Sequence, residues 1–276
     1  MQDSGRPGQA ALGVGHSGAC DLASYRLANR LVGNAPNAGV LEVTYGGLRL
    51  RADGDVVVVT TGARCAGTAP HNAPISLRSG QVLELGPPAS GLRTYLAVRG
   101  GFAVDNVLGS CATDVLSGLG PPVVTPGTTL AVGPSGRPHP SVDLAPLADP
   151  EAGDVTVRVT PGPRRDWFSD GAWASLVDQP WTVSADSNRV GLRLEGEPLV
   201  RERTDELPSE GLVRGALQVP ASGQPVLFLA DHPVTGGYPV IGYVDDVDVD
   251  RCGQLRPGQR LLLRVAQAPG TRTRGR

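Results

Sequence analysis

Residues 226–244 read VLFLADHPVTGGYPVIGYV, in which two apolar runs, Val226–Ala230 and Val240–Val244, flank the polar segment Asp231–Pro239. Both runs have the composition of buried strands, so the segment between them is a connection mounted on rigid strand ends. Reversing a chain needs only Gly, Pro or Asn. This connection also carries a carboxylate (Asp231), an imidazole (His232), a hydroxyl (Thr235) and a phenol (Tyr238). Gly236 and Gly237 have no side chains, which lets a ligand or another backbone approach closely. Such loops are where binding and catalysis concentrate. The plainer alternative is a hairpin whose Asp and Thr satisfy their own backbone.

Composition extends the β reading outward from this stretch. The 276 residues suffice for two ordinary domains or one large β domain. Hydrophobic residues make up 40% and aromatics only 4%, so the core must be mostly Val, Leu and Ala. The 38 glycines and 25 prolines favour strands and turns over helix bundles. A net charge of −2 gives no electrostatic ground for a nucleic-acid or anionic-membrane partner. With no run of about 18 apolar residues and no signal peptide, the expectation is a soluble cytoplasmic protein. There is no lysine: all 25 basic residues are arginine. That excludes Schiff-base chemistry, the P-loop and kinase lysines and the S-x-x-K nucleophile. Any cation in a site must therefore be a guanidinium, suited to gripping carboxylate or phosphate. Cys20, Cys65, Cys111 and Cys252 lack C-x-x-C spacing, and His16, His71, His139 and His232 are scattered. The cysteines are expected as small buried residues without disulfides, and no metal is expected.

Ala19, Ala23, Leu27 and Leu31 recur at four-residue spacing, predicting a helix over 18–34 that stops at Gly33-Asn34. Strands are predicted at Val40–Val43, Leu48–Arg51, Val56–Thr61, Val82–Leu85 and Tyr95–Val98. Five prolines between 134 and 153 mark a linker or crossing segment. Val155–Thr160 then alternates like a half-buried strand, and Asp166–Asp178 has the composition of a second helix. The order of Gly-rich loop, helix and strands thus occurs twice. The expectation is a mostly β fold of two similar lobes, 1–140 and 141–266, with a disordered tail over 267–276. Gly13-Val14-Gly15-His16-Ser17-Gly18 matches G-x-G-x-x-G, but no strand precedes it, so a dinucleotide fold is not indicated. Ala19 stands where a nucleophile elbow needs glycine. A bare loop before a helix can still hold an anion on its N–H groups.

Several motifs in fixed order resemble the allophanate hydrolase subunit 2 family, also called KipA-like. They are Gln2-Asp3-Ser4-Gly5-Arg6, Ser17-Gly18-Ala19-Cys20-Asp21, Ala28–Asn34, Leu41-Glu42-Val43-Thr44, Leu108–Asp114, Ser187–Gly196, Gln218-Val219-Pro220 and Asp231–Pro239. The family includes the C subunit of bacterial ATP-dependent 5-oxoprolinase and is similar to part of the urea carboxylase carboxyltransferase domain. The resemblance implies two cyclophilin-like β-barrel lobes with a few short helices. It implies a hydrolase complex that consumes ATP to open 5-oxo-L-proline to L-glutamate, with a KipI-like subunit and a third subunit beside this one. It leaves two alternatives: a carboxyltransferase module of a urea carboxylase pathway, or a non-enzymatic KipA-type regulator. The family pattern has Pro at Gly15, Met at Cys20, Arg at Cys111 and Thr at Val234. It also carries a strand before Gln2-Asp3, so the expectation is either a start further upstream or a lobe lacking an edge strand. The chain alone is expected to be inactive and to present an apolar or strand-edge surface.

Opening a lactam needs a polarised carbonyl, a stabilised oxyanion and a positioned nucleophile. Asp3, Asp21, Asp114, Asp186 and Asp231 sit at element ends, where each is either a base or orienter or simply a cap. Asp3, Asp21, Asp231, Thr235 and Tyr238 are the catalytic candidates. Thr235, Gly236 and Gly237 offer donors to an oxyanion, Arg6 and Arg189 offer clamps for an anion, and Gln2, Ser17 and Asp114 complete the substrate-binding candidates. His232 is a candidate proton shuttle. The motifs holding Gln2, Asp3, Arg6, Ser17, Asp21 and Asp231–Tyr238 are expected to meet in one cleft. No phosphate loop is present to hold the ATP.

Overall fold

A computed structural model describes residues 1–67 and 71–266. The first lobe holds α1 (Leu22–Leu31) and strands β1 (Leu41–Thr44), β2 (Leu48–Arg51), β3 (Val56–Gly62), β4 (Cys65–Gly67), β5 (Ile75–Leu77), β6 (Val82–Pro88) and β7 (Arg93–Val98). These form two sheets, in the orders β1-β7-β3-β5 and β2-β6-β4. Strand β7 is buried along its whole length because both of its faces are covered. Tyr95 and Ala97 pack with Tyr25, Leu27, Ala28 and Leu31 of α1, while Leu96 and Val98 meet Leu83 and Leu85 of the second sheet.

The second lobe contains β8 (Val155–Pro161), α2 (Asp170–Asp178), β9 (Pro180–Val183), β10 (Gly191–Glu195), β11 (Glu210–Gly211), β12 (Ala216–Gln218), β13 (Val226–Phe228), β14 (Thr235–Gly236), β15 (Val240–Val244), α3 (Asp246–Cys252) and β16 (Arg260–Val265). Seven of these strands close a barrel in the order β10-β13-β12-β15-β8-β16-β9. Alternation drives the closure. Val155, Val157 and Val159 of β8 point inward, with Thr156, Arg158 and Thr160 exposed. Trp181, Leu192, Leu194, Leu217, Leu227, Leu261 and Leu263 fill the interior from the other strands. Closure leaves these seven strands without a free edge.

The two runs that flank Asp231–Pro239 are both strands, yet they do not pair with each other. β12 lies between them, so the connection crosses over a strand and is not a hairpin. The predicted first helix begins later than its periodicity suggests. Asp21 adopts an extended conformation and caps it by accepting from Ser24 N. At 10 residues it is still the longest helix among the described residues. The second predicted helix splits into a 3-10 turn at Arg165–Trp167 and α2, whose cap is Ser169. Residues 134–153 carry no strand or helix. They run along the first lobe, with Ala145 N bonded to Asn72 O and Arg64 paired with Asp149 at 3.0 Å, before entering β8. The tail predicted over 267–276 lies outside the described residues.

Candidate active site

Two N-terminal segments lie side by side, joined by Arg6 N to His16 O at 2.8 Å and Ala19 N to Asp3 O at 3.0 Å. Glycine makes this approach sterically feasible. A Cβ on Gly5, which has φ +83, would stand 2.5 Å from the His16 carbonyl oxygen, and one on Gly18 would stand 2.8 Å from Gly5 N. Ser17, between them, is held at φ 54, a left-handed conformation that a non-glycine residue seldom adopts. Behind this pair, Asp3 accepts from Gly5 N, Ser110 Oγ and Cys111 N, each at 2.7 Å. Its carboxylate is committed to pinning residues 110–111. Gln2 donates to the Thr113 carbonyl at 2.9 Å. Arg6, only 1% exposed, donates through Nη2 to Ala112 O at 2.5 Å and through Nε to Val107 O at 3.3 Å. No carboxylate lies within ion-pair distance of it among the described residues.

Arg189, from the loop before β10, is the hub of a buried charge network between the lobes. It makes a two-pronged contact with Asp231, Nε to Oδ2 at 2.9 Å and Nη2 to Oδ1 at 3.0 Å. It also donates to Glu42 of β1, to Gly18 O and to Cys20 Sγ. Asp231 further accepts from Ser17 Oγ at 2.7 Å and Val115 N at 3.0 Å, so four donors fill its oxygens. Glu42 in turn accepts from Cys20 N and Tyr95 OH and lies 3.5 Å from Arg93 Nε. Burial alone would raise the Glu42 carboxyl, but Arg189 and Arg93 more than offset it and hold the group below the usual range. Burial works against the charge on Arg189, yet Cys20, Glu42 and Asp231 around it keep the guanidinium firmly protonated.

In front of this network lies a cleft of about 550 Å³, lined by Arg6, Gly15, His16, Ser17, Arg214 and His232, among others. His232 Nδ1 is 2.8 Å from the Pro233 carbonyl, which can only accept, so the ring proton sits on Nδ1 and Nε2 carries the lone pair. Burial lowers the His232 pKa, with the Pro233 carbonyl opposing, and leaves the ring neutral at pH 7. A neutral imidazole with an open Nε2 is chemically a proton acceptor.

The fold brings fewer of the candidate residues into this cleft than the sequence predicts. Arg6 and Ser17 line it, and Asp231 lies directly behind Ser17. Asp21 is elsewhere: it caps α1 and takes a 2.8 Å bond from Gln254 Nε2, beside a separate pocket of about 300 Å³. Asp114 caps its own turn through Leu116 N, Ser117 N and Ser117 Oγ. Thr235 and Gly236 form a two-stranded ribbon with Glu210 and Gly211, while Gly237 and Tyr238 lie exposed, so none of the four lines the cleft. The expected convergence therefore includes His232 and Val234 of that loop but stops before Thr235. The helix N-terminus after Gly18 is also not open to an anion, because Asp250 accepts from Leu22 N and Ala23 N at 2.9 and 3.1 Å.

The family model described as "Carboxyltransferase domain, subdomain A and B" matches residues 12–265. The chain belongs to the carboxyltransferase-domain family. It is 38% identical to the C subunit of the Escherichia coli 5-oxoprolinase over 94% of this chain and 85% of that one. Among solved structures, TTHA0988 superposes with a TM-score of 0.86 at 34% identity, covering 95% of this chain and 53% of that one. The K. lactis urea amidolyase superposes with a TM-score of 0.88 at 28% identity over 96% of this chain. This carboxyltransferase domain thus spans about half of TTHA0988 and 18% of the urea amidolyase chain.

Several residues at or behind the cleft of this carboxyltransferase domain carry no clear signal in the sequence. Glu42 alternates with Leu41 and Val43, which reads as a solvent-facing strand residue, and only its partners Arg189, Arg93, Cys20 and Tyr95 explain its burial. Arg214 and Asp250, paired at 2.6 Å, stand on segments without motif character. His16 was visible only as filler in the G-x-G-x-x-G string, although its carbonyl and ring sit against Gly5. Among the described residues no helix is long and apolar enough to cross a membrane.

Proposed function

We propose that this chain is the C subunit of a 5-oxoprolinase, a complex that opens the lactam of 5-oxo-L-proline to L-glutamate at the expense of ATP. The observation that carries the reading is the 38% identity to the E. coli protein over most of both chains. The cleft between the N-terminal segments and the His232 loop is the proposed substrate site. There His232 Nε2 would accept a proton from the attacking group and return it to the departing lactam nitrogen, while the Ser17 hydroxyl, fixed by Asp231, holds the substrate in place. ATP hydrolysis supplies the driving force. The chain has no phosphate loop or lysine, and its α1 N-terminus is already closed by Asp250. ATP binding is therefore assigned to a partner, taken to be a KipI-like subunit acting with a third subunit.

The test is co-expression of this chain with those two subunits and measurement of ATP-dependent glutamate release from 5-oxoproline. Release by the complex and none by the isolated chain is expected, and His232→Gln in the complex should lower turnover at least about a hundredfold. Turnover by the chain alone would overturn the division of labour. A second reading, transfer of a carboxyl group, is favoured by the likeness to urea amidolyase. Because the chain has no lysine to carry biotin, that reading requires a separate carrier, and consumption of carboxybiotin by the complex would select it.

A further inference from the structure

Two arginines of the cleft each hold a buried N–H with no acceptor: Arg6 Nη1 and Arg214 Nε. Buried donors in folded proteins nearly always find a partner, so two orphans on one cleft mark places where an acceptor from outside the chain belongs. The rest of each guanidinium is committed. Arg6 is fastened to the Val107 and Ala112 carbonyls, and Arg214 Nη2 to Cys20 O and Asp250. Charge points the same way. Arg214 is balanced by Asp250, whereas Arg6 has no carboxylate within 4 Å among the described residues and its charge is left uncompensated beside the cleft. Arg189, the other guanidinium considered from sequence, is already saturated by Asp231 and Glu42.

We propose that the cleft recognises a small organic carboxylate, held by Arg6 Nη1 and Arg214 Nε, so that the substrate's acid group and not its ring is what selects it. Identifying the acid as 5-oxoproline rests on the function proposed above; the anchor itself does not. Two probes separate the groups: 5-oxoproline, and 2-pyrrolidinone, the same lactam without the carboxylate. Titrated calorimetrically into the full chain, 5-oxoproline should bind at least about tenfold more tightly than 2-pyrrolidinone. Arg6→Gln and Arg214→Gln should each abolish that difference, with Arg6→Lys retaining part of it. Arg49→Gln, on an exposed arginine of the first lobe, should leave it intact. Binding of both probes with equal affinity, or an unchanged preference in Arg6→Gln, overturns the anchor. So does failure of every carboxylate in a panel of acetate, succinate and 5-oxoproline to bind. Arginine-dependent binding of succinate or acetate without 5-oxoproline supports the anchor and removes the 5-oxoprolinase reading. Should Arg6→Gln fail to fold, the two-probe comparison on the unaltered chain still decides.

Discussion

The barrel interior and the seam between the lobes are both closed to water, but they are built from opposite materials. The barrel is filled by Val, Leu and Trp side chains facing inward from alternating strands. The seam holds Glu42, Arg93, Arg189 and Asp231, two charges of each sign, with Ser17, Cys20 and Tyr95 completing their hydrogen bonds. Apolar packing tolerates repacking and carries little directional information. A buried ion network is costly to desolvate and offers little net stability, but it leaves few arrangements in which every group is satisfied. The barrel therefore contributes stability, and the seam contributes the placement of Ser17 and of the loop bearing His232.

This contrast can be broken most forcefully at its hub. Arg189→Met strands two buried carboxylates and should cost about 3–5 kcal/mol in chemical denaturation. Pairing it with Glu42→Gln should recover part of that loss, a coupling of about 1–3 kcal/mol in a double-mutant cycle. Inside the barrel, Leu217→Ala should cost about 3 kcal/mol, independent of pH, and it should leave activity per folded molecule unchanged. An Arg189→Met protein that kept full stability would mean that the seam is no tighter than an ordinary surface contact.

Titration sharpens the contrast further. The Glu42 carboxyl is held below its ordinary value of 4.5, so its contribution to stability is present above that value and disappears as pH falls through the folded-state value. Stability of the unaltered protein should drop in acid, and Glu42→Gln, weaker by about 1–3 kcal/mol at pH 7, should show a shallower decline below pH 4.5. Asp21 behaves in the reverse sense. Burial raises its carboxyl above 3.8 against bonds from Gln254 and Ser24, so its contribution is full below 3.8 and is lost as pH rises through the folded-state value. Asp21→Asn keeps a good helix cap and should alter stability by less than about 1 kcal/mol at neutral pH, the smallest effect of the set.

The same contrast decides what could be read from sequence. Val155–Thr160 announces its barrel strand because period-two alternation and inward burial are the same fact. β2 and β6 were legible for the same reason, and β1, β3 and β7 as short apolar, β-branched or aromatic runs. β12 was not legible as the strand between β13 and β15, because three residues, Ala216–Gln218, are too few to show a period. At the seam, local pattern misplaces side chains: Glu42 looks solvent-facing and is buried, whereas Thr235 and Tyr238, expected in the cleft, lie on the surface outside it. Asp231 was found from its setting, but not its commitment to four donors, which come from segments far apart in the chain.

Strand β16 runs parallel to β8 and antiparallel to β9, so the last described strand is wedged between the first two of its barrel. Just upstream, Gln254 accepts from Leu92 N and Arg93 N and donates to Asp21 and to Arg93 O in the other lobe. Closure of the barrel and its contact with the first lobe thus both wait for the same late stretch of chain. On the ribosome the barrel cannot close until β16 has been made, and the open flanks of β8 and β9 stay adhesive until it arrives. A nascent chain stalled before that point should be the one that chaperones hold.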